Sequence, residues 1–173
     1  MVTFISRSAE DTRAMGARLA RALPDGTVVA LTGELGSGKT TFVQGAAEGM
    51  GIRPGADDLG ETEGVTSPTF VLVREHEGRD GRRLVHVDAH RLTGGAELRD
   101  LGSDDFLKVR GIAFVEWAER VEEALPEPRL VLRFAHRAEG EREIEVLGAG
   151  DGAEALVEAA GRALSNDVEE RTP

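Results

Sequence analysis

Short apolar runs separated by glycine- and proline-bearing breaks set the pattern of this chain, and the period within each run predicts its element. Ser8-Ala-Glu-Asp11 resembles a capping box, and Met15 and Leu19 fall one turn apart behind it. A helix is predicted from there to Leu23, stopped by Pro24-Asp25-Gly26. Val28–Leu31 is a continuous apolar run of strand length, and a helix start is predicted from Thr41 to Glu48, ending near Gly49-Met50-Gly51. Residues 53–64 hold proline, glycines and acids without any period, which predicts an exposed, mobile loop. Val71, Val73 and His76 alternate in a strand, Gly78-Arg-Asp-Gly81 is a turn, and Leu84–Asp88 is a buried strand that ends in an acid.

Beyond Asp88, residues 96–107 predict a helix with Leu98, Leu101 and Phe106 inward, weakened by Gly102. Ile112–Trp117 is another apolar strand with an acid, Glu116, near its end. Pro126 and Pro128 break the chain before two alternating segments, Leu130–Phe134 and Glu143–Val146, which read as an antiparallel hairpin. A last helix is expected after Asp151-Gly-Ala-Glu154, through about Leu164, and residues 166–173 form a disordered tail. The whole predicts an α/β fold: residues 1–165 as one phosphate-loop domain, with a mostly parallel central sheet flanked by helices and an antiparallel C-terminal hairpin.

Composition narrows the function. Net charge is −11, so a nucleic-acid-binding surface is not expected and protein partners are. There are no cysteines, which removes disulfides, thiolate metal sites and cysteine nucleophiles. No apolar run is long enough to cross a bilayer, and the N-terminal stretch lacks a signal core, so a cytoplasmic location is expected.

The chemistry lies between the first buried strand and the helix after it. Gly33-Glu34-Leu35-Gly36-Ser37-Gly38-Lys39-Thr40 completes the pattern G-x-x-x-x-G-K-[ST]. Glycines allow the backbone to curl its N–H groups around an anion, and the following helix adds its unpaired amides and positive dipole end. The chain has only two lysines, and one of them, Lys39, stands where it can reach β- and γ-phosphates. The Thr40 hydroxyl suits Mg²⁺, which takes oxygen ligands. Asp88 and Glu116 both lie where apolar strands emerge, the edge at which such sheets bind ligands. Position alone leaves open which acid holds the metal and which positions the attacking water. Thr66, Ser67 and Thr69 around Pro68 form a hydroxyl cluster suited to sensing a γ-phosphate. His86, Asp88 and His90 alternate on one strand face, a spacing that could also hold a transition metal, though Mg²⁺ on oxygen suits a phosphate loop better. Trp117 reads as core before partner contact.

Four motifs in order, GELGSGKTT (33–41), VTSPTF (65–70), HVDAHRL (86–92) and VEWAERV (115–121), make the chain similar to the TsaE/YjeE family over about residues 4–147. That resemblance implies a Mg²⁺-dependent ATPase of tRNA threonylcarbamoyladenosine (t6A) synthesis, slow alone. It further implies a protein that joins the TsaB–TsaD pair, meets tRNA only indirectly, and does not itself transfer the carbamoyl group. Carried over by motif, Gly33 to Lys39 and Thr41 bind phosphates, and Thr40 and Glu116 hold Mg²⁺. Asp88 positions or activates the water, and Thr66 and Ser67 form the switch element. Ser8 to Thr12 resembles the segment that lies against the adenine. One position departs from the pattern: His90 stands where the family usually has tyrosine. Three other readings compete: a GTPase switch protein, disfavoured because neither lysine sits in an N/T-K-x-D motif, a small-molecule kinase, and an ATP-dependent adaptor that does not hydrolyse. A kinase wants an arginine-bearing lid, whereas Arg137 and Arg142 fall in the predicted hairpin.

Overall fold

In the computed structural model, residues 1–52 and 72–165 are described. The elements are β1 (Val2–Ser6), α1 (Ala9–Ala22), β2 (Thr27–Gly33), α2 (Lys39–Gly49), β3 (Leu72–Glu77) and β4 (Arg83–Asp88), followed by α3 (Gly95–Asp100) and α4 (Ser103–Phe106). The chain continues with β5 (Gly111–Glu116), β6 (Arg129–Ala138), β7 (Glu141–Ala149) and α5 (Ala153–Ser165). The predicted loop 53–64, the hydroxyl cluster Thr66, Ser67 and Thr69, and the tail 166–173 lie outside the described residues.

One seven-stranded sheet runs β1-β7-β6-β2-β5-β4-β3. Its centre, β6-β2-β5-β4, is parallel, and the outer pairs are antiparallel. The predicted α/β architecture and C-terminal hairpin are therefore present. The sheet is antiparallel on both flanks, because β3 turns back on β4 and β1 adds to β7. The apolar run of β2 is explained by burial on both faces. Val29 and Leu31 join one core with α1, α2 and α5, and Val28 and Ala30 join the other beneath α3 and α4.

Helices α1 and α2 pack backbone to backbone. A Cβ on Gly16 would stand 2.1 Å from the Phe42 carbonyl oxygen, and one on Gly45 would stand 2.0 Å from that of Arg13. The pair is anchored to the sheet by Phe42 against Phe134, an edge-to-face contact with centroids 5.6 Å apart. Since Phe42 follows the phosphate loop by two residues, this core fixes the direction in which α2 leaves the loop.

Two expectations need correction. The helix predicted over 96–107 is two short helices, because Gly102 adopts a left-handed conformation (φ 83°) between them. The break turns Leu101 outward, 46% exposed, while Leu98 stays buried and Phe106 packs against the second core. The edge strand β1 had no prediction. Its Val2-Thr-Phe-Ile-Ser alternation is short, and pairing with β7 is what makes it a strand.

Candidate nucleotide site

The site lies beyond the carboxyl ends of the parallel strands, in a cavity of about 400 Å³. Gly36, Ser37, Gly38, Lys39, Thr40 and Thr41 form its floor. Gly36 and Gly38 take positive φ (73° and 104°), which lets the loop turn back under α2. Gly38 caps α2 without a side-chain hydrogen bond, and no acid occupies the first turn. The amides there are left to an anionic ligand.

Lys39 is 4% exposed. Its Nζ donates to the carbonyl oxygens of Gly33 (2.7 Å) and Glu34 (2.8 Å) and sits 4.2 Å from the Trp117 ring centroid. Burial pulls its pKa down, while the negative charges of Glu116, Glu119 and Asp88 oppose that shift. Trp117 is half-buried and packs against the second core, so the core reading holds in part. Its ring also forms a wall of the site, over Lys39 and 4.7 Å from the His90 ring, on a left-handed backbone (φ 57°) uncommon for a bulky residue.

Both predicted acids line this cavity. Asp88 and Glu116 end adjacent parallel strands as direct register partners. Glu116 is buried, and its Oε2 accepts from the Thr40 hydroxyl at 2.9 Å. Its Oε1 lies 2.8 Å from His86 Nε2. Asp88 Oδ1 accepts from the His90 backbone N–H at 2.9 Å, an Asx turn that fixes the carboxylate at the strand exit. His86 and His90 thus go to different partners, Glu116 and Trp117. Among the described residues no group of three His, Cys, Asp or Glu side chains is placed to hold a metal. The oxygen pair of Thr40 and Glu116 does suit Mg²⁺, which takes one or two protein oxygens and completes its shell with phosphate and water.

On the opposite wall Ser8 and Thr12, from the segment that the family resemblance sets against the adenine, line the cavity. Ser8 Oγ accepts the Asp11 N–H (3.0 Å), and the buried Thr12 hydroxyl donates to the Ser8 carbonyl oxygen (3.0 Å) beside Ser6 Oγ (2.6 Å). Glu34 stands outside this wall, and Leu35 is 81% exposed at the loop tip. Arg142 is the residue the sequence reading passed over. From β7 it reaches the cavity with Nη2 3.4 Å from the Gly36 carbonyl oxygen. Arg137, the other hairpin arginine, instead pairs with Glu141. Only the sheet order, with β7 beside β6, brings Arg142 to the loop.

No described helix is long and apolar enough to cross a membrane. Residues 6–144 match the family described as threonylcarbamoyl adenosine biosynthesis protein TsaE. A Treponema pallidum tRNA threonylcarbamoyladenosine biosynthesis protein TsaE is 39% identical over 142 residues, covering 82% of this chain and 97% of the relative. The Streptomyces coelicolor TsaE is 47% identical over 146 residues, 80% of this chain and 91% of the relative. The crystal structure of Bacillus subtilis YdiB superposes with a TM-score of 0.72 at 32% identity, covering 93% of this chain and 94% of that one. A phosphate loop at the head of a parallel sheet, two acids at neighbouring strand ends and these relatives agree: the chain belongs to the TsaE family of P-loop nucleotide-binding proteins.

Proposed function

We propose that this chain is a Mg²⁺-dependent ATPase of tRNA N6-threonylcarbamoyladenosine synthesis. In this reading it binds the TsaB–TsaD pair and supports their turnover, and it does not transfer the carbamoyl group itself. The observation that carries the proposal is the 2.9 Å hydrogen bond between the Thr40 hydroxyl and Glu116. It joins the first turn of the phosphate-loop helix to the acid of the adjacent strand, the pairing that Mg²⁺ on a triphosphate requires.

The roles follow from placement. Gly33, Glu34, Leu35, Gly36, Ser37, Gly38 and Thr41 offer loop and helix amides to the phosphates. Lys39 exchanges its two carbonyl partners for β- and γ-oxygens. Thr40 and Glu116 hold the metal, whose chemistry is to neutralise charge on the phosphate oxygens. Asp88, pinned by the His90 amide, accepts a hydrogen bond from the attacking water. Thr12 and Ser8 pack against the adenosine, and Arg142 closes the lip over the loop. Thr66 and Ser67 supply the switch that responds to the γ-phosphate. With partners required for assembly, hydrolysis by the isolated chain should be slow.

The test is Mg²⁺-ATP hydrolysis by the purified chain, alone and with the TsaB–TsaD pair, followed as phosphate release without any acceptor. Slow release that the pair accelerates is the expected result. Release that requires a small-molecule acceptor would instead establish a kinase. No release at all, with ATP still bound and the pair still captured, would establish an adaptor.

A further inference from the structure

We infer that His86 is a positioning residue for the metal site: its imidazole anchors one oxygen of Glu116 so that the other faces Thr40 and the cation. The inference rests on Glu116 being a Mg²⁺ ligand, as proposed above.

Its basis is geometric. On β4 and β5, Asp88 faces Glu116 directly, so His86 stands diagonal to Glu116 across the two strands. The side chains of Leu84, His86 and Asp88 share a sheet face, because successive strand residues alternate. Diagonal neighbours are within reach of long side chains, and here the gap closes to 2.8 Å between His86 Nε2 and Glu116 Oε1. Glu116 is buried and His86 partly so, their side chains 6% and 12% exposed. A carboxylate only accepts, so Nε2 carries the hydrogen in this contact. The two Glu116 oxygens are then fully assigned: Oε1 to His86 and Oε2 to Thr40.

That assignment has a consequence for binding. A glutamate side chain has several rotatable bonds, and a metal ligand free to turn loses entropy when it is fixed. His86 fixes the carboxylate plane before any cation arrives. The imidazole also belongs to the rigid parallel centre of the sheet, whereas Thr40 belongs to α2. Glu116 is thereby referenced to the sheet, and the helix end meets it. Partners of this kind, standing behind a ligand, are worth about 10–100-fold in metal affinity.

The experiment is a Mn²⁺ titration followed by electron paramagnetic resonance, with a non-hydrolysable ATP analogue bound, on the full chain. Wild type is compared with His86→Leu, His86→Asn, His86→Gln and Glu116→Gln. Glutamine can present an amide N–H at the place of Nε2; leucine has no donor and asparagine is too short. The expected result is a Mn²⁺ dissociation constant raised about tenfold in His86→Leu and His86→Asn, and largely restored in His86→Gln. Affinity for the analogue without metal should be the same in the His86 variants as in wild type. Wild-type Mn²⁺ affinity in His86→Leu, or in His86→Asn should leucine fail to fold by circular dichroism, overturns the inference. An equal loss in folded His86→Gln overturns it too, since a donor there would have done nothing. If Glu116→Gln binds Mn²⁺ like wild type, the ligand assignment itself is wrong and the His86 role falls with it. If Glu116→Gln loses Mn²⁺ and the His86 variants keep it, only the His86 role falls.

Discussion

Two helix N-termini open onto the same cavity and are built oppositely. The start of α1 is closed by its own side chains: Ser8 Oγ takes the Asp11 N–H, Asp11 Oδ2 takes the Arg7 N–H at 2.8 Å, and Glu10 and Asp11 place negative charge in the first turn. The start of α2 has a glycine at the cap, no side-chain bond to its amides and no acid in the first turn. Both ends carry the same unpaired N–H groups and the same positive dipole end in principle. In α1 the protein has filled them, and in α2 it has left them to be filled. The difference supports the proposed placement of the triphosphate at α2, with α1 as the wall beside it.

The sharpest way to break this comparison is to remove the cation that α2 adds to its open end. Lys39→Ala deletes the charged hydrogen bonds to the Gly33 and Glu34 carbonyls, a longer one to Ser37 Oγ, and the contact with Trp117. At about 1.5–3 kcal/mol for a hydrogen bond to a charged group, ATP affinity should fall about 10–100-fold by calorimetry. An unchanged dissociation constant would move the nucleotide away from α2.

Thr41→Glu makes the open end resemble the closed one. Position 41 is the third residue of α2, where a glutamate can reach back to the cap residue's N–H and complement the dipole. The free protein should melt slightly higher while ATP binds about tenfold more weakly, since the new carboxylate occupies the place of a phosphate. Opposite signs for stability and binding are the signature. A variant that binds ATP as well as wild type would show that these amides are not used. Ser8→Ala is the converse experiment on α1. Loss of that cap should cost about 1 kcal/mol of stability in chemical denaturation. Calorimetry should find ATP affinity lowered far less than in Lys39→Ala, because Ser8 offers the adenosine only packing while its acceptor is spent on Asp11.

The same contrast governs what was legible in the sequence. Capping boxes and glycine loops are local codes, so the boundary at Ser8 and the loop itself could be read directly, although α2 begins at Lys39, two residues ahead of the predicted start at Thr41. Asp88 and Glu116 were legible as strand-end acids because each closes an apolar run. Their proposed division of labour came only from the family motifs and not from strand position, since the contact of Glu116 with Thr40 spans two elements. The His86–Glu116 contact is diagonal across a register, and Arg142 reaches Gly36 only because β7 lies beside β6. Neither pairing leaves a trace in local spacing. Leu101 failed for a different reason: helical periodicity carried it inward, and one left-handed glycine at position 102 cancelled the periodicity.

The smallest effect tests whether the closed end is closed electrostatically as well as by hydrogen bonds. At the head of α1 the Glu10 carboxyl is held below its ordinary value of 4.5, first by its own backbone N–H, then by the Ser8 hydroxyl, with Arg13 assisting. A carboxyl with a depressed folded pKa stabilises the fold above its unfolded pKa, and that stability is lost as pH falls through the folded value. Glu10 is fully exposed, so solvent screens the effect. Glu10→Gln should therefore melt slightly below wild type at pH 7, and the two curves should converge in acid once wild-type Glu10 is protonated. Added salt should shrink the gap at pH 7, because the dipole contribution is screened. A gap that stays constant across the acid range would mean that Glu10 acts through packing alone, and that hydrogen bonds suffice to close α1.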